Sequence, residues 1–365
     1  MTAGPATTRF LDAGLFDPSR KPELEQHILE GLICRGDLAV WIGREKHRKS
    51  NVVLQMAICA ALGRPFLHFK HGTGQLMRVV FLDYESKNPS FHRRYDAICR
   101  SMELPEEEKA TLRTHLCVIL VRKLSKKGEK VPRFPARVPS DDHEDVKWWK
   151  RFAQEYPADL YIFDPMRCLH AQDENDSSIE ALLSKLRAIF PNAAIIVPHH
   201  MNRSSANGRD SGGLPISLSQ PDNLRAFANG CRGSTAINAH ADVVVCQERR
   251  VEGDVETVYL GAYMKDAADV EPLPLVESGH ESFYWIVSRN VPEKLRASYE
   301  ALRKVGCSFK SATDAVAVLM AGQNGRGATR ATAYRHVKEL RDGGFLVTDA
   351  SGNFAVAMGE CNSEI

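Results

Sequence analysis

LAVWIGREKHRKSNVVLQMAICAALG (Leu38–Gly63) decides the fold. Leu38 to Ile42 are apolar without alternation and run into Gly43, which reads as a strand buried on both faces. From Asn51 to Gly63 the chain has the length and residue types of a helix, and a basic loop lies between the two. Strand, loop and helix in that order are the setting of the G-x-x-x-x-G-K-[ST] motif, whose backbone N–H groups wrap phosphate. GREKHRKS (Gly43–Ser50) keeps Gly43, Lys49 and Ser50 in register, but Arg48 replaces the second glycine. In that motif the lysine reaches the β/γ-phosphates and the Ser hydroxyl holds Mg2+. Gly43, Arg48, Lys49, Ser50 and Asn51 are therefore the candidate nucleotide-binding set. Arg48 leaves a second reading open, a basic loop leading to a serine-capped helix, because glycine is used where backbone must turn tightly or approach a ligand.

Outward from this stretch the pattern repeats. RVVFLDYE (Arg78–Glu85), LCVILV (Leu116–Val121), DLYIFD (Asp159–Asp164), AAIIVP (Ala193–Pro198) and ADVVVC (Ala241–Cys246) are further apolar runs. Segments of helical period, such as Ser90–Met102, separate them. Such alternation predicts an α/β fold with a mostly parallel sheet covered by helices on both faces. TVYLGAYM (Thr257–Met264) and ESFYWIV (Glu281–Val287) follow without an intervening helix and predict antiparallel strands. Two polar inserts, Arg122–Asp145 and Met201–Gly230, leave the ends of predicted strands, where open α/β sheets place their ligands.

The 365 residues allow two domains, and 43% hydrophobic with 26% charged residues excludes a disordered, fibrous or membrane protein. Lys plus Arg (48) nearly balances Asp plus Glu (46), which excludes a histone-like polycation. Local charge still matters: Arg44–Ser50, Arg122–Arg151, Met201–Ala236 and Ser308–Gly344 are each net basic. The nine cysteines are scattered without a CxxC pair, so reduced thiols are expected rather than disulfides or zinc. No signal peptide or membrane-length apolar run occurs, and a cytoplasmic protein with no membrane partner is expected.

Several residues outside the loop carry chemistry. Asp164 ends an apolar strand in the manner of a Walker B acid, placed to hold the Mg2+ water shell. Glu85 follows another strand, where a carboxylate can polarise an attacking water, whereas Asp83 is read as structural. His200, in PHH (Pro198–His200), can sense a γ-phosphate by hydrogen bonding. Arg232 and Lys265 are cations that can be offered to a neighbouring subunit's nucleotide.

After Val291 the pattern changes. Helices over Pro292–Lys304, Ser311–Met320 and Thr329–Arg341 precede GGFLVTDASGNFAVA, a predicted hairpin, and together they form the order of a winged helix-turn-helix. Arg330, Arg335 and Lys338 lie on its third helix and are DNA-contact candidates, with a protein-adaptor role as the alternative. The expected domains are 1–290, with an N-terminal arm over 1–30, and 291–365.

The order WIGREKHRKS, VVFLDYES, LYIFDPMRCLHAQDENDSS, AAIIVPHHMNRSS and NGCRGSTAINAHADVVV resembles the RecA-like ATPase superfamily. Within it, the nearest likeness is to RepA-type plasmid replicative helicases and their AAA-annotated relatives, over about residues 20–290. The resemblance implies ATP and Mg2+ as ligands, with Lys49 and Ser50 on phosphate and metal. It implies Glu85 as activator of water, Asp164 as Walker B acid, His200 as sensor and Arg232 as arginine finger, with Lys265 a companion. It further implies a homo-oligomeric, commonly hexameric ring and DNA-contacting loops around Arg203 and Arg209. The expected activity is an ATP-dependent motor on single-stranded DNA, with duplex contact through the winged helix. A nucleotide-sensing DNA-binding protein with little turnover is the alternative.

Overall fold

The structure is a computed structural model, and it describes residues 26–126, 131–132, 143–169, 176–201, 216–230, 234–252, 255–277, 283, 285–287, 293–305, 308–321, 328–342, 346–348 and 354–356. A short hairpin, β1 (His27–Leu29) with β2 (Ile33–Cys34), precedes the main sheet. The nucleotide-loop unit is β3 (Leu38–Gly43) and α1 (Lys49–Ala61). Next come β4 (Val79–Asp83), α2 (Asn88–Ser101), α3 (Glu106–His115), β5 (Leu116–Leu120), α4 (Val121–Lys126) and α5 (Glu144–Glu155). They are followed by β6 (Leu160–Asp164), α6 (Asp176–Ile189), β7 (Ala194–His200), α7 (Leu224–Ala228) and α8 (Ser234–His240). The sheet is completed by β8 (Val243–Glu252), β9 (Val255–Met264), β10 (Val270–Glu277) and β11 (Trp285–Val287).

These nine strands order as β11-β10-β9-β8-β3-β7-β6-β4-β5. β8, β3, β7, β6, β4 and β5 run parallel and β9, β10 and β11 are antiparallel, giving the mostly parallel α/β sheet that the alternating pattern predicts and the RecA-like fold that the resemblance implies. Successive residues of each central strand feed opposite layers. Ala39 and Trp41 of β3 pack with α1, α2 and α3 on one face. Leu38, Val40 and Ile42 pack with α5, α6, α7 and α8 on the other. α1 is buried at twelve of its thirteen residues, so it lacks the polar stripe of a surface helix. On the other face Trp149 of α5 meets Phe163 and Phe190 edge-on, with ring centroids 5.8 and 6.4 Å away.

β10 is not among the strands that the sequence predicts. Its Pro272 and Pro274 argue against a strand, since proline donates no ladder bond. The structure accommodates Pro272 within a register irregularity between Val270 and Leu273. Pro198 in β7 has a related explanation. The β6–β7 ladder ends at the pair Ile162–Ile196, so a missing N–H beyond that point costs no bond on that side.

The C-terminal elements are α9 (Glu293–Val305), β12 (Ser308–Phe309), α10 (Ala312–Ala321), α11 (Arg330–Asp342), β13 (Leu346–Thr348) and β14 (Phe354–Val356). The three helices and the β12-β14-β13 sheet enclose a separate cluster that includes Leu302, Val316, Leu340 and Leu346. Ala333, Val337 and Leu340 form the buried stripe of α11, at the spacing that puts side chains on one helix face. No helix among the described residues is long and apolar enough to cross a membrane. The described cysteines are free thiols.

Candidate nucleotide site

The strand register brings the chemistry to one edge. Gly43 pairs with His200, and Asp83 pairs with Asp164, so the last residues of β3, β7, β4 and β6 stand together at the carboxyl ends of the parallel strands. Past the pair Ile162–Ile196 β6 and β7 no longer bond to each other, while β6 stays paired with β4 as far as Asp164 and β7 with β3 as far as His200. This is the position at which open α/β sheets bind ligands.

Lys49, the first residue of α1, turns its ammonium into the loop. Nζ donates to the carbonyl oxygens of Gly43 (2.8 Å) and Arg44 (2.9 Å) and lies 3.3 Å from His200 Nδ1. Burial pulls its pKa down to about 8, against the opposing charges of Asp164, Glu45 and Glu85. Asp164 is 6% exposed. Burial pushes its carboxyl up to about 6, while a hydrogen bond from Ser50 works the other way and the neighbouring Asp83 adds to the rise. The Ser50 hydroxyl and the Asp164 carboxylate are the hard oxygen donors that a Mg2+ ion and its waters require, beside a cation suited to phosphate. The side chains present thus fit Mg2+ and a nucleoside polyphosphate.

Asp83 is structural, as its position in the sequence suggests. Its Oδ1 accepts from the backbone N–H groups of Glu85 (3.0 Å) and Ser86 (2.7 Å), and its Oδ2 accepts from Arg94 Nη2 (3.2 Å). Arg94 also donates to Ser86 Oγ (2.5 Å) and Asn51 Oδ1 (3.5 Å). Asn51 is therefore buried against Arg94 rather than directed into the loop. Glu85 lies exposed just beyond β4, close enough for its charge to act on Lys49. His199 is fully buried, whereas His200 faces the loop.

Arg48 caps α1 in the left-handed region, at φ 64° and ψ 15°. That conformation explains why a glycine is usual here. The Arg48 side chain leaves the loop: its Nε donates to Glu256 Oε1 on β9 at 3.2 Å. Gly43 is needed for close approach rather than conformation, since a Cβ there would collide with the carbonyl oxygen of Gln247 on β8. Gln247, His47 and Glu256, none of which the motif marks, hold this loop, and Arg94 supports its floor. Their signal is tertiary only, as Gln247 and Glu256 lie some two hundred residues away in the chain.

The structure does not bring every predicted residue here. Lys265 is exposed beyond β9, and its N–H donates to Asp242 O (2.9 Å) at the amino-terminal edge of the parallel strands, opposite the loop. Arg330, Arg335 and Lys338 are exposed on α11. Arg232, Arg203 and Arg209 lie outside the described residues. A separate cavity of about 850 Å3 under the β5 edge is lined by Phe91, Tyr95, Trp148 and Tyr156, away from this chemistry.

Among solved structures the chain is similar to a KaiC-like protein of the archaeon Pyrococcus horikoshii OT3. Identity is 14% and the TM-score 0.43, over 72% of this chain and 94% of that one. It is also similar to the flagellar accessory protein FlaH of Methanocaldococcus jannaschii, at 15% identity and a TM-score of 0.41 over 70% and 90%. No curated protein matches the chain at a significant level. A model of the AAA_25 family, an AAA domain, matches residues 5–206, more than half the chain and all of the loop, Glu85, Asp164 and His200. Sheet order, loop and family match agree, and the chain belongs to the AAA_25 family as a RecA-like P-loop ATPase domain.

Proposed function

We propose that the protein is an ATP-hydrolysing motor acting on single-stranded DNA, as a RepA-like helicase in replication or mobile-element maintenance. The observation that carries the nucleotide part is the meeting of Lys49, Ser50 and Asp164 at one strand edge. In this reading the Lys49 ammonium exchanges its loop carbonyls for β/γ-phosphate oxygens, and the N-terminus of α1 adds the favourable end of its helix dipole. Ser50 and Asp164 would hold Mg2+, which supplies neutralisation of phosphate charge. Glu85 accepts the proton of a water that attacks the γ-phosphorus as the bond to ADP breaks, yielding ADP and phosphate. His200 reports the γ-phosphate to β7. Arg232 and Lys265 act across a subunit boundary, in a hexameric ring of cytoplasmic protomers. The position of Lys265 on the edge opposite its own loop supports a role outside its own site.

The DNA part rests on the C-terminal elements as a winged helix-turn-helix. α11 exposes Arg330, Arg335, Lys338 and Arg341, with the Arg330 guanidinium 5.8 Å from the centre of the exposed Tyr334 ring. Cations and an aromatic ring on one recognition helix suit phosphate and base contact. One observation favours a second reading, a nucleotide-sensing DNA-binding protein with little turnover: Arg48 stands where the motif has glycine and keeps a strained conformation. ATPase activity with and without single-stranded DNA, measured for the parent and for Arg48→Gly, separates the two. DNA-stimulated turnover by the parent is expected. An inert parent that Arg48→Gly raises by orders of magnitude sinks the motor reading and leaves the sensor.

A further inference from the structure

The loop that replaces a glycine with Arg48 is held from outside by the β8–β9 hairpin. Four hydrogen bonds make the clamp. Gln247 Nε2 donates to the carbonyl oxygen of His47 (2.5 Å), and the backbone N–H of Arg249 donates to His47 Nδ1 (3.0 Å). Arg48 Nε donates to Glu256 Oε1 (3.2 Å), and Arg249 Nη2 donates to Glu256 Oε2 (2.6 Å). Trp41 Nε1, donating to Gln247 Oε1 at 2.8 Å, fixes the glutamine amide from within the sheet. Glu256 is thus shared by two guanidinium groups, and its side chain is only 18% exposed.

Three consequences follow from ordinary chemistry. A left-handed non-glycine residue persists only where its surroundings over-determine it, and here the surroundings are this clamp. Arg44, Lys46, Arg48 and Lys49 crowd like charges into one loop, and the Glu256 carboxylate is the anion seated on Arg48. A guanidinium released from Glu256 would be free to fold toward the same loop carbonyls that Lys49 occupies.

We propose that Glu256 is a positioning residue of the nucleotide loop: anchored by Arg249, it holds the Arg48 guanidinium outside the loop and thereby fixes the left-handed turn that glycine ordinarily supplies. The inference rests on the reading that this loop binds a nucleoside triphosphate. It explains how a chain can lose the second glycine and keep the loop geometry. Glu256 touches no phosphate in this scheme, and acts through Arg48 alone.

The test is a double-mutant cycle on the full chain: parent, E256Q, R48G and R48G/E256Q, with E256D as the conservative variant. Two readouts are taken. Calorimetry measures the affinity for a non-hydrolysable ATP analogue with Mg2+, and amide hydrogen exchange without nucleotide reports the loop itself over residues 46–51. E256Q is expected to weaken analogue binding about tenfold, a charged hydrogen bond's worth, and to speed loop exchange about tenfold. E256D is expected to recover most of both. In the R48G background E256Q is expected to change either quantity by less than about twofold, because nothing remains for the carboxylate to hold. Equal effects of E256Q in both backgrounds, or none in either, overturn the proposal. Analogue bound by no variant, with the exchange pattern as expected, overturns the nucleotide reading and leaves the positioning role standing. Thermal melting of each variant confirms that the glutamine, which has the same shape as glutamate, leaves the fold intact.

Discussion

The Nζ of Lys49 stands 3.3 Å from Nδ1 of His200 and joins the start of α1 to the end of β7. With the ammonium as donor, Nδ1 accepts and Nε2 carries the ring proton. The same ammonium is bonded to two carbonyls of its own loop, so it is a desolvated cation held by neutral partners. Phosphate oxygens are stronger partners for such a cation than carbonyls are, which is why this arrangement favours a polyphosphate.

Lys49→Ala removes that cation. The expected loss in affinity for Mg2+ and an ATP analogue is about a hundredfold, in line with loss of a preorganised charged donor in a dry site. Calorimetry checks it, and a change of less than about threefold is incompatible with the assigned role.

The two shifted groups define a pH window. Asp164 titrates at about 6 and must be ionised to serve Mg2+, while Lys49 titrates at about 8 and must be charged to serve phosphate. Affinity is therefore expected to be highest between those values and to fall on either side. The unliganded fold responds with a definite sign. A carboxyl raised from 3.8 binds more protons folded than unfolded, so it costs stability progressively as pH climbs from there to about 6 and fully above. Asp164→Asn should remove that slope from melting curves taken across this range.

Gly43→Ala tests close approach rather than backbone freedom. The added methyl meets the Gln247 carbonyl of the neighbouring strand, so β3 and β8 must part. The expected cost is about 2–3 kcal/mol by denaturant titration, the range of an overpacked core. A melting curve matching the parent would show that the strands separate freely.

Glu85→Gln separates chemistry from binding. Glu85 lies exposed beyond β4 and outside the loop, so analogue affinity should hold within about threefold. Turnover should fall about a hundredfold or more, as loss of a general base does. Single-turnover ATP hydrolysis beside calorimetry distinguishes the two outcomes.

Arg335→Ala with Lys338→Ala addresses the exposed face of α11. If these side chains meet phosphates, the slope of log affinity for DNA against log salt should drop by about one for each phosphate no longer neutralised. An unchanged slope, with ATPase intact, assigns this face to something other than DNA.

Much of this is legible in the linear chain, because the information is local. Parallel strands buried on both faces must be apolar throughout, so LAVWIG, VVFLD, LYIFD and AAIIV declare themselves. A motif confined to eight residues singles out Lys49 and Ser50, and strand ends mark Asp164, Glu85 and His200 as candidates. β10 is hidden because its prolines argue against a strand, and the irregular register that takes in Pro272 exists only once β9 lies beside it. Other decisions belong to the tertiary structure alone. It places Gly43 beside His200 and Asp83 beside Asp164, and it carries Lys265 to the far edge. It also answers the substitution at Arg48 with Glu256, Arg249 and Gln247, residues that no local pattern connects to the loop. The physical reason is the same in each case. A backbone conformation and a periodic burial pattern are properties of neighbours in sequence, whereas hydrogen bonds between distant strands exist only after the sheet has brought them within reach.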